Sequence, residues 1–283
     1  FINILLPALL LFGISYLIME NEGADNEAAF DAPTIQAHFI DVGQGDSCLV
    51  KLADGRNVLI DAGEAGAAED VVRHLKSEGV EKIDYLIATH PHSDHIGGLA
   101  RVIKEFEIGS IYMPKASHTT KTFENLLVAI SEKGLKVNTA RAGVVLFDDE
   151  GARAQFLAPV GESYENLNNF SAVLKITYKD VSFLFAGDAE ALSEREMIDS
   201  GQNLRSAVLK VGHHGSATSS TTEFLKAVSP KATVISCGKE NPYGHPSEKV
   251  IKRLEASGIE IYRTDQMGTI KIYSDGEKFI IHE

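Results

Sequence analysis

The stretch Leu86-Ile87-Ala88-Thr89-His90-Pro91-His92-Ser93-Asp94-His95 constrains this chain more than any other. An apolar run of strand character ends in a loop that carries three imidazoles and a carboxylate. Burying so many titratable groups is costly unless something charged pairs with them, and neutral imidazole with carboxylate is a donor set that zinc favours. Ile96, Gly97 and Gly98 follow, which predicts a close-packed helix start beside the metals. The two cysteines, Cys48 and Cys237, are too few for a disulfide framework or a thiolate zinc knuckle, so metal ligands must come from His and carboxylates. His213, His214 and His245 also follow strand-like apolar runs, so the fold has to gather several strand ends at one place.

The alternation of elements points to such a fold. Strands are predicted over 35–41, 47–52 and 57–61, separated by the turn residues Gly43, Gly45, Asp54 and Gly55. A helix follows on the apolar positions Val71, Val72, Leu75 and Val80, then a buried strand over 83–89, a helix over 99–106, a strand over 111–113 and a helix over 123–130. In the second half strands are predicted over 154–157, 172–178, 182–186, 207–211, 233–236, 260–262, 269–273 and 278–281, with helices near 190–199, 221–228 and 247–256. Two mixed sheets with outer helices account for this order. Gly43-Gln44-Gly45 precedes a strand and not a helix, which argues against a dinucleotide fold. Cys48 and Cys237 sit in strand-like runs and read as small core residues, and His38, His74, His118 and His282 lie outside the motifs.

Ahead of this domain, predicted over 34–283, lies a different composition. From Phe1 to Met19 only Asn3, Ser15 and Tyr16 are conspicuously polar, so residues 1–20 are expected to be a membrane anchor or signal segment, with a buried core helix as the alternative. Residues 21–33 read as a linker. Glu20, Glu22, Asp25 and Glu27 follow the segment with no Lys or Arg before Lys51, which places the domain outside the cytoplasm.

His90-x-His92-x-Asp94-His95 after a hydrophobic strand, with Asp61-Ala62-Gly63 after Val58-Leu59-Ile60, resembles the metallo-β-lactamase superfamily. The segments 39–47 (FIDVGQGDS), Asn168-Asn169-x-Ser171, Phe185-Ala186-Gly187-Asp188, Gly212-His213-His214-Gly215-Ser216 and Tyr243-Gly244-His245-Pro246 are similar to the extracytoplasmic hydrolase domain of the ComEC/Rec2 DNA-uptake proteins. The resemblance implies an α+β fold, an αβ/βα sandwich of two mixed β-sheets flanked by helices, with two divalent metal ions, Zn²⁺ or Mn²⁺, in a cleft at one edge. Carried over position by position, it assigns His90 and His92 to one metal, Asp94 and His95 to the other, and Asp188 to both. A carboxylate at a strand end can span two ions about 3.5–4 Å apart. Asp188 has a second reading as an N-cap before Ala189-Glu190-Ala191. By analogy with the choline-phosphate esterases of the superfamily, His214 is the expected last ligand, with His245 as the alternative. Asp94, His213 and His245 are the candidates for a direct part in the chemistry, through proton transfer or phosphate contact. Ser216, Ser219, Ser220 and Thr221 could contact a phosphate, although Ser220-x-x-Glu223 equally has the form of a capping box.

One departure matters: Asn168-Asn169-Phe170-Ser171 stands where many members supply a third His to the first metal. An amide oxygen is a weaker ligand for zinc, which predicts weak binding at the first site, argues against β-lactam hydrolysis and leaves manganese open as an occupant of the oxygen-richer site. The expected function is a metal-dependent phosphodiesterase acting on DNA, single strands above all. The alternatives are a small-molecule phosphoesterase, such as a choline-phosphate or teichoic-acid esterase, and a non-catalytic accessory that binds DNA or cell wall. A formal charge of −13 argues against a broad basic face for nucleic acid and favours the small substrate. Any DNA contact must then rest on the metals, helix N-termini and a few cations such as Lys115 and Lys210 near the cleft.

Overall fold

The structure, a computed structural model, describes residues 34–282. The membrane segment expected over 1–20 and the linker over 21–33 lie outside the described residues. Among the described residues no helix is long and apolar enough to cross a membrane.

Two mixed sheets form, and alternation along their strands builds three layers of core. The first begins as an antiparallel meander, β1 (Ile35–Phe39), β2 (Cys48–Lys51) and β3 (Asn57–Ile60). Parallel strands β4 (Lys82–Ile87), β5 (Glu107–Met113) and β6 (Val137–Thr139) extend it through crossovers. Those crossovers carry α1 (Ala68–Ser77), α2 (Ser93–Ile96), α3 (Leu99–Glu105) and α4 (Lys121–Glu132). The second sheet starts with antiparallel β7 (Val145–Asp149), β8 (Ala152–Phe156), β9 (Leu174–Tyr178) and β10 (Val181–Phe185). It continues in parallel with β11 (Val208–Lys210), β12 (Ala232–Ile235) and β13 (Glu260–Arg263). Its crossovers carry α5 (Ala191–Asp199), α6 (Thr222–Val228) and α7 (Glu248–Ala256). After a short α8 (Thr264–Met267) the chain returns to the first sheet, where β14 (Ile270–Ser274) pairs with β1 and β15 (Phe279–His282) closes the edge.

Because successive strand residues face opposite ways, Val58 and Ile60 enter the core between the sheets while Leu59 packs under the helices. On β10, Phe183 and Phe185 likewise join the inter-sheet core and Leu184 joins the outer one. The helices close the outer layers with Val71, Val72 and Leu75 of α1 on one side and Phe224, Leu225 and Val228 of α6 on the other. This is the expected αβ/βα sandwich. The sequence pattern had not marked β6 and β7. Both are edge strands with exposed residues and a single partner, so neither carries a buried period. At α6 the cap is Thr221, whose side chain accepts from Phe224 N, and not the Ser220 of the anticipated capping box. Cys48 and Cys237 are buried free thiols.

His38 is no ordinary surface histidine. It is buried on the outer face of β1, with Nδ1 3.0 Å from His74 Nε2 on α1. Burial, outweighing the attraction of Glu78 and reinforced by Lys271, His74 and Lys51, lowers its pKa to about 3. The folded state therefore keeps His38 neutral where the unfolded chain binds a proton. Stability from this group is full above about pH 6.5 and falls by about 1.4 kcal/mol for each unit below it, down to the folded pKa. Urea denaturation at pH 7.0 and 5.5 is expected to show a loss of about 1.4 kcal/mol from this histidine, and His38→Gln should abolish most of that difference. An unchanged difference in the variant would remove His38 as its cause.

Candidate metal centre

Strand β4 delivers the histidine motif to one edge of the sandwich. His90 lies three residues beyond its end, after Ala88 and Thr89, and His92 occupies the N-cap of α2 with Asp94 and His95 in that helix. His90 Nε2 lies 3.0 Å from His92 Nδ1 and 3.7 Å from Asp188 Oδ2. Asp188 arrives from the other sheet, on the turn after β10, and its backbone N–H donates to Ser171 Oγ at 3.0 Å. It does not cap α5, whose N-cap is Glu190, so its carboxylate faces the histidines.

Two donor groups result: His90, His92 and Asp188, and Asp94, His95, Asp188 and His214, with the donor atoms of each within 4.8 Å of one another. Asp188 belongs to both. His214 joins by an unusual backbone: His213 and His214 both have left-handed dihedrals, φ 51° and 52°, between Gly212 and Gly215. Such angles are uncommon for non-glycine residues and concentrate at functional sites. They splay the two rings to 68° and let both reach one carboxylate, His214 Nε2 at 3.6 Å from Asp188 Oδ1 and His213 Nε2 at 3.7 Å from Oδ2.

Buried carboxylates stand behind the histidines. Asp61 accepts from His95 Nδ1 at 2.8 Å, and Thr89 donates to it from its backbone N at 2.8 Å and its hydroxyl at 2.6 Å. His214 Nδ1 donates to Ser236 O at 2.9 Å and lies 3.2 Å from Asp46 Oδ1. Each bond assigns the Nδ1 proton and leaves Nε2 facing the cluster, the arrangement of metal-binding imidazoles. Lys210 does not reach the cleft as expected: it is buried between the sheets with Nζ against Asp46 Oδ2. Burial raises the Asp46 pKa, but Lys210 and His214 outweigh it and hold the carboxyl below its usual range.

The donor set fits a divalent cation on two grounds. His95 Nε2 and Asp188 Oδ1 are buried and face each other at 3.2 Å without making a hydrogen bond. Burial lowers the pKa of both His95 and His214, yet Asp188 and the neighbouring carboxylates raise His95 well above its usual range and His214 to about 9. Positive charge is what this cluster stabilises, and a divalent ion supplies it.

The remaining residues line a cleft of about 320 Å³ over the cluster. His213 faces it with Nδ1 3.3 Å from Glu190 Oε1. His245 lines it too, but lies outside both donor groups, its ring 6.3 Å from that of His214. Asn168 sits at the wall, its amide nitrogen 3.3 Å from Glu190 Oε1. Lys115 lines a different pocket, beside Phe170 and Pro159. Ser219 is tied to Gly212 O at 2.6 Å, and Ser220 and Thr221 present their backbone N–H groups to Glu194, so these residues brace the loop and do not line the cleft. His118, passed over in the sequence, lines the cleft with its ring 6.1 Å from that of His92. Asp46 and Glu190 were also missed. For Asp46 a signal existed in Gly45, where a Cβ would fall 2.3 Å from Asp94 O, so only glycine lets the loop lie against the histidine motif.

Comparison with known proteins agrees with this architecture. The sequence profile of the metallo-β-lactamase superfamily matches residues 40–239. ComE operon protein 3 of Bacillus subtilis (strain 168) is 34% identical over 253 residues, covering 83% of this chain and 32% of the relative. Competence protein ComA of Neisseria gonorrhoeae is 35% identical over 233 residues, covering 82% of this chain and 31% of the relative. The chain thus spans about a third of the length of these relatives. Among solved structures, CmlA, a diiron β-hydroxylase from Streptomyces venezuelae, superposes with a TM-score of 0.54 at 16% identity over 81% of this chain and 52% of that one, a likeness of fold.

Proposed function

The chain belongs to the metallo-β-lactamase superfamily, and from that premise we propose that it hydrolyses phosphodiester bonds in single-stranded DNA, outside the cytoplasm, with two divalent metal ions, Zn²⁺ or Mn²⁺. The observation that carries this reading is the sharing of Asp188 between the two donor groups. His90, His92 and Asp188 would hold one ion, and Asp94, His95, His214 and Asp188 the other. When bound, such a pair supplies an acidified water and positive charge for the phosphate oxygens. DNA as the substrate rests on the likeness to the competence proteins.

The chain's own residues do the positioning. The Asp61 carboxylate and the Ser236 carbonyl fix the Nδ1 protons of His95 and His214, so neither ring can turn its lone pair away from the cluster. Asp94 Oδ2, 3.2 Å from His214 Nε2, closes the same side and lies along the cleft, where an incoming water would be oriented. His213, steadied by Glu190, is placed to hand a proton to the leaving oxygen. His245, half-buried at the rim, is placed to contact the phosphate. An anchor over residues 1–20 would hold the domain at the outer membrane surface.

Purified protein is expected to cleave a labelled single-stranded oligonucleotide with added Mn²⁺ or Zn²⁺, and duplex no faster, because one narrow cleft admits one backbone. His92→Ala should lose this activity and serves as the control for contaminating nuclease. Release of phosphorylcholine or another small phosphoester by wild type alone, with equal oligonucleotide cleavage in both proteins, would replace the nuclease reading by the small-molecule esterase. This second reading draws support from the cleft wall, in which no Lys or Arg stands among the described residues.

A further inference from the structure

Resting on that reading of the site, we infer that Tyr243 and His245 form a stacking subsite for a nucleobase beside the scissile phosphodiester. Tyr243 is 68% exposed, and of the exposed large hydrophobic side chains among the described residues it alone lines the metal cleft. Its ring lies 25° from parallel to that of His245, with centroids 5.8 Å apart, so one face is backed and the other is open to solvent. The loop that carries the ring is also pinned. Asn241 accepts from His245 N at 3.0 Å and donates to His245 O at 2.6 Å and to Gly238 O at 2.8 Å, which pins the loop on both sides of Tyr243. An exposed aromatic ring on a pinned loop is a partly preorganised contact surface, since the backbone needs little further ordering when a flat partner arrives.

The charge of the cleft narrows the partner. With no Lys or Arg among its described lining residues, a polyanion gains nothing there from side-chain cations. Stacking on an aromatic ring is the other common source of affinity for single strands, and it tolerates any base because every base has a π-face. A quaternary ammonium, as in choline, is instead recognised by rings gathered around the cation, whereas this platform offers one open face. The partner that fits is therefore an unpaired base of single-stranded nucleic acid, stacked while its phosphate lies over the Asp188 cluster.

The test uses the whole chain, loaded with Mn²⁺, and fluorescence anisotropy with two cleavage-resistant phosphorothioate strands, an oligothymidylate and its abasic counterpart. Wild type is expected to bind the base-bearing strand about tenfold more tightly. Tyr243→Ala should erase that preference and Tyr243→Phe should keep it. Equal binding of the two strands by wild type, a preference that survives in Tyr243→Ala, or displacement by phosphorylcholine without any base preference would each overturn the inference. Cleavage of the ordinary phosphodiester strand is read separately. Its absence would sink the nuclease reading, while the anisotropy still decides the stacking subsite.

Discussion

Replacing Asp188 by alanine is expected to lower metal content at both positions at once and to reduce phosphodiesterase activity more than about 100-fold, beyond the 10–100-fold typical of residues that only support ligands. The reason is geometric. Asp188 Oδ1 lies 3.2 Å from His95 Nε2 and 3.6 Å from His214 Nε2, while Oδ2 lies 3.7 Å from His90 Nε2 and 3.7 Å from His213 Nε2. One carboxylate thus faces every histidine of both donor groups except His92. It is also the group that most strongly raises the pKa of His95 and His214 once burial is set aside, so its loss removes the charge that draws a cation in. Asp94 belongs to one donor group only, and Asp94→Ala should empty mainly that one. Metal analysis by mass spectrometry after gel filtration separates the cases. Full loading at both positions in Asp188→Ala would end the bridging role.

Lys210→Met is expected to destabilise the protein by about 3–5 kcal/mol, the usual cost of leaving one member of a buried ion pair alone. Asp46 and Lys210 are both shut off from solvent, and the Lys210 ammonium is the leading attraction that keeps Asp46 ionised against burial. At 2–4 °C per kcal/mol for a domain near this size, the melting temperature should fall by roughly 10 °C. Removing both charges in Lys210→Met with Asp46→Leu should recover most of that stability, because paired replacement by apolar groups leaves no uncompensated charge. It should not restore the second donor group, since His214 would lose the carboxylate 3.2 Å from Nδ1 that helps to set its tautomer. The double variant is therefore expected to melt near wild type and to bind metal weakly at the Asp94–His95–His214 side. A single variant as stable as wild type would show that Lys210 does not support Asp46.

Much of the molecule could be read locally, because the signals involved are local. The unbroken apolar runs Val58-Leu59-Ile60 and Phe183-Leu184-Phe185 mark strands with two covered faces, and the helical spacing of Val71, Val72 and Leu75 marks the layer that covers one of them. The motif His90-x-His92-x-Asp94-His95 could be singled out because burial of so many ionisable groups in one loop demands a counter-charge. Edge strands β6 and β7 escaped because an edge is a property of pairing, and their exposed residues leave no period to detect.

What the sequence by itself determined, then, is the layered α+β architecture and the His and Asp motifs from which candidate donors come, both properties of residue type and short-range spacing. The tertiary structure alone decided how those donors meet. Residues 90–95, 188 and 214 come from both sheets, and only the packing of the two sheets brings their strand ends to one edge. That His214 and not His245 joins the Asp188 group follows from two consecutive left-handed residues, which the neighbouring glycines permit but do not require. That Lys210 supports a buried carboxylate instead of greeting a phosphate follows from the face of β11 it shares with Val208, which opens between the sheets and not onto the cleft. Periodicity tells which residues share a face. Only the contact of one sheet with the other tells whether that face meets water, a helix or a buried charge.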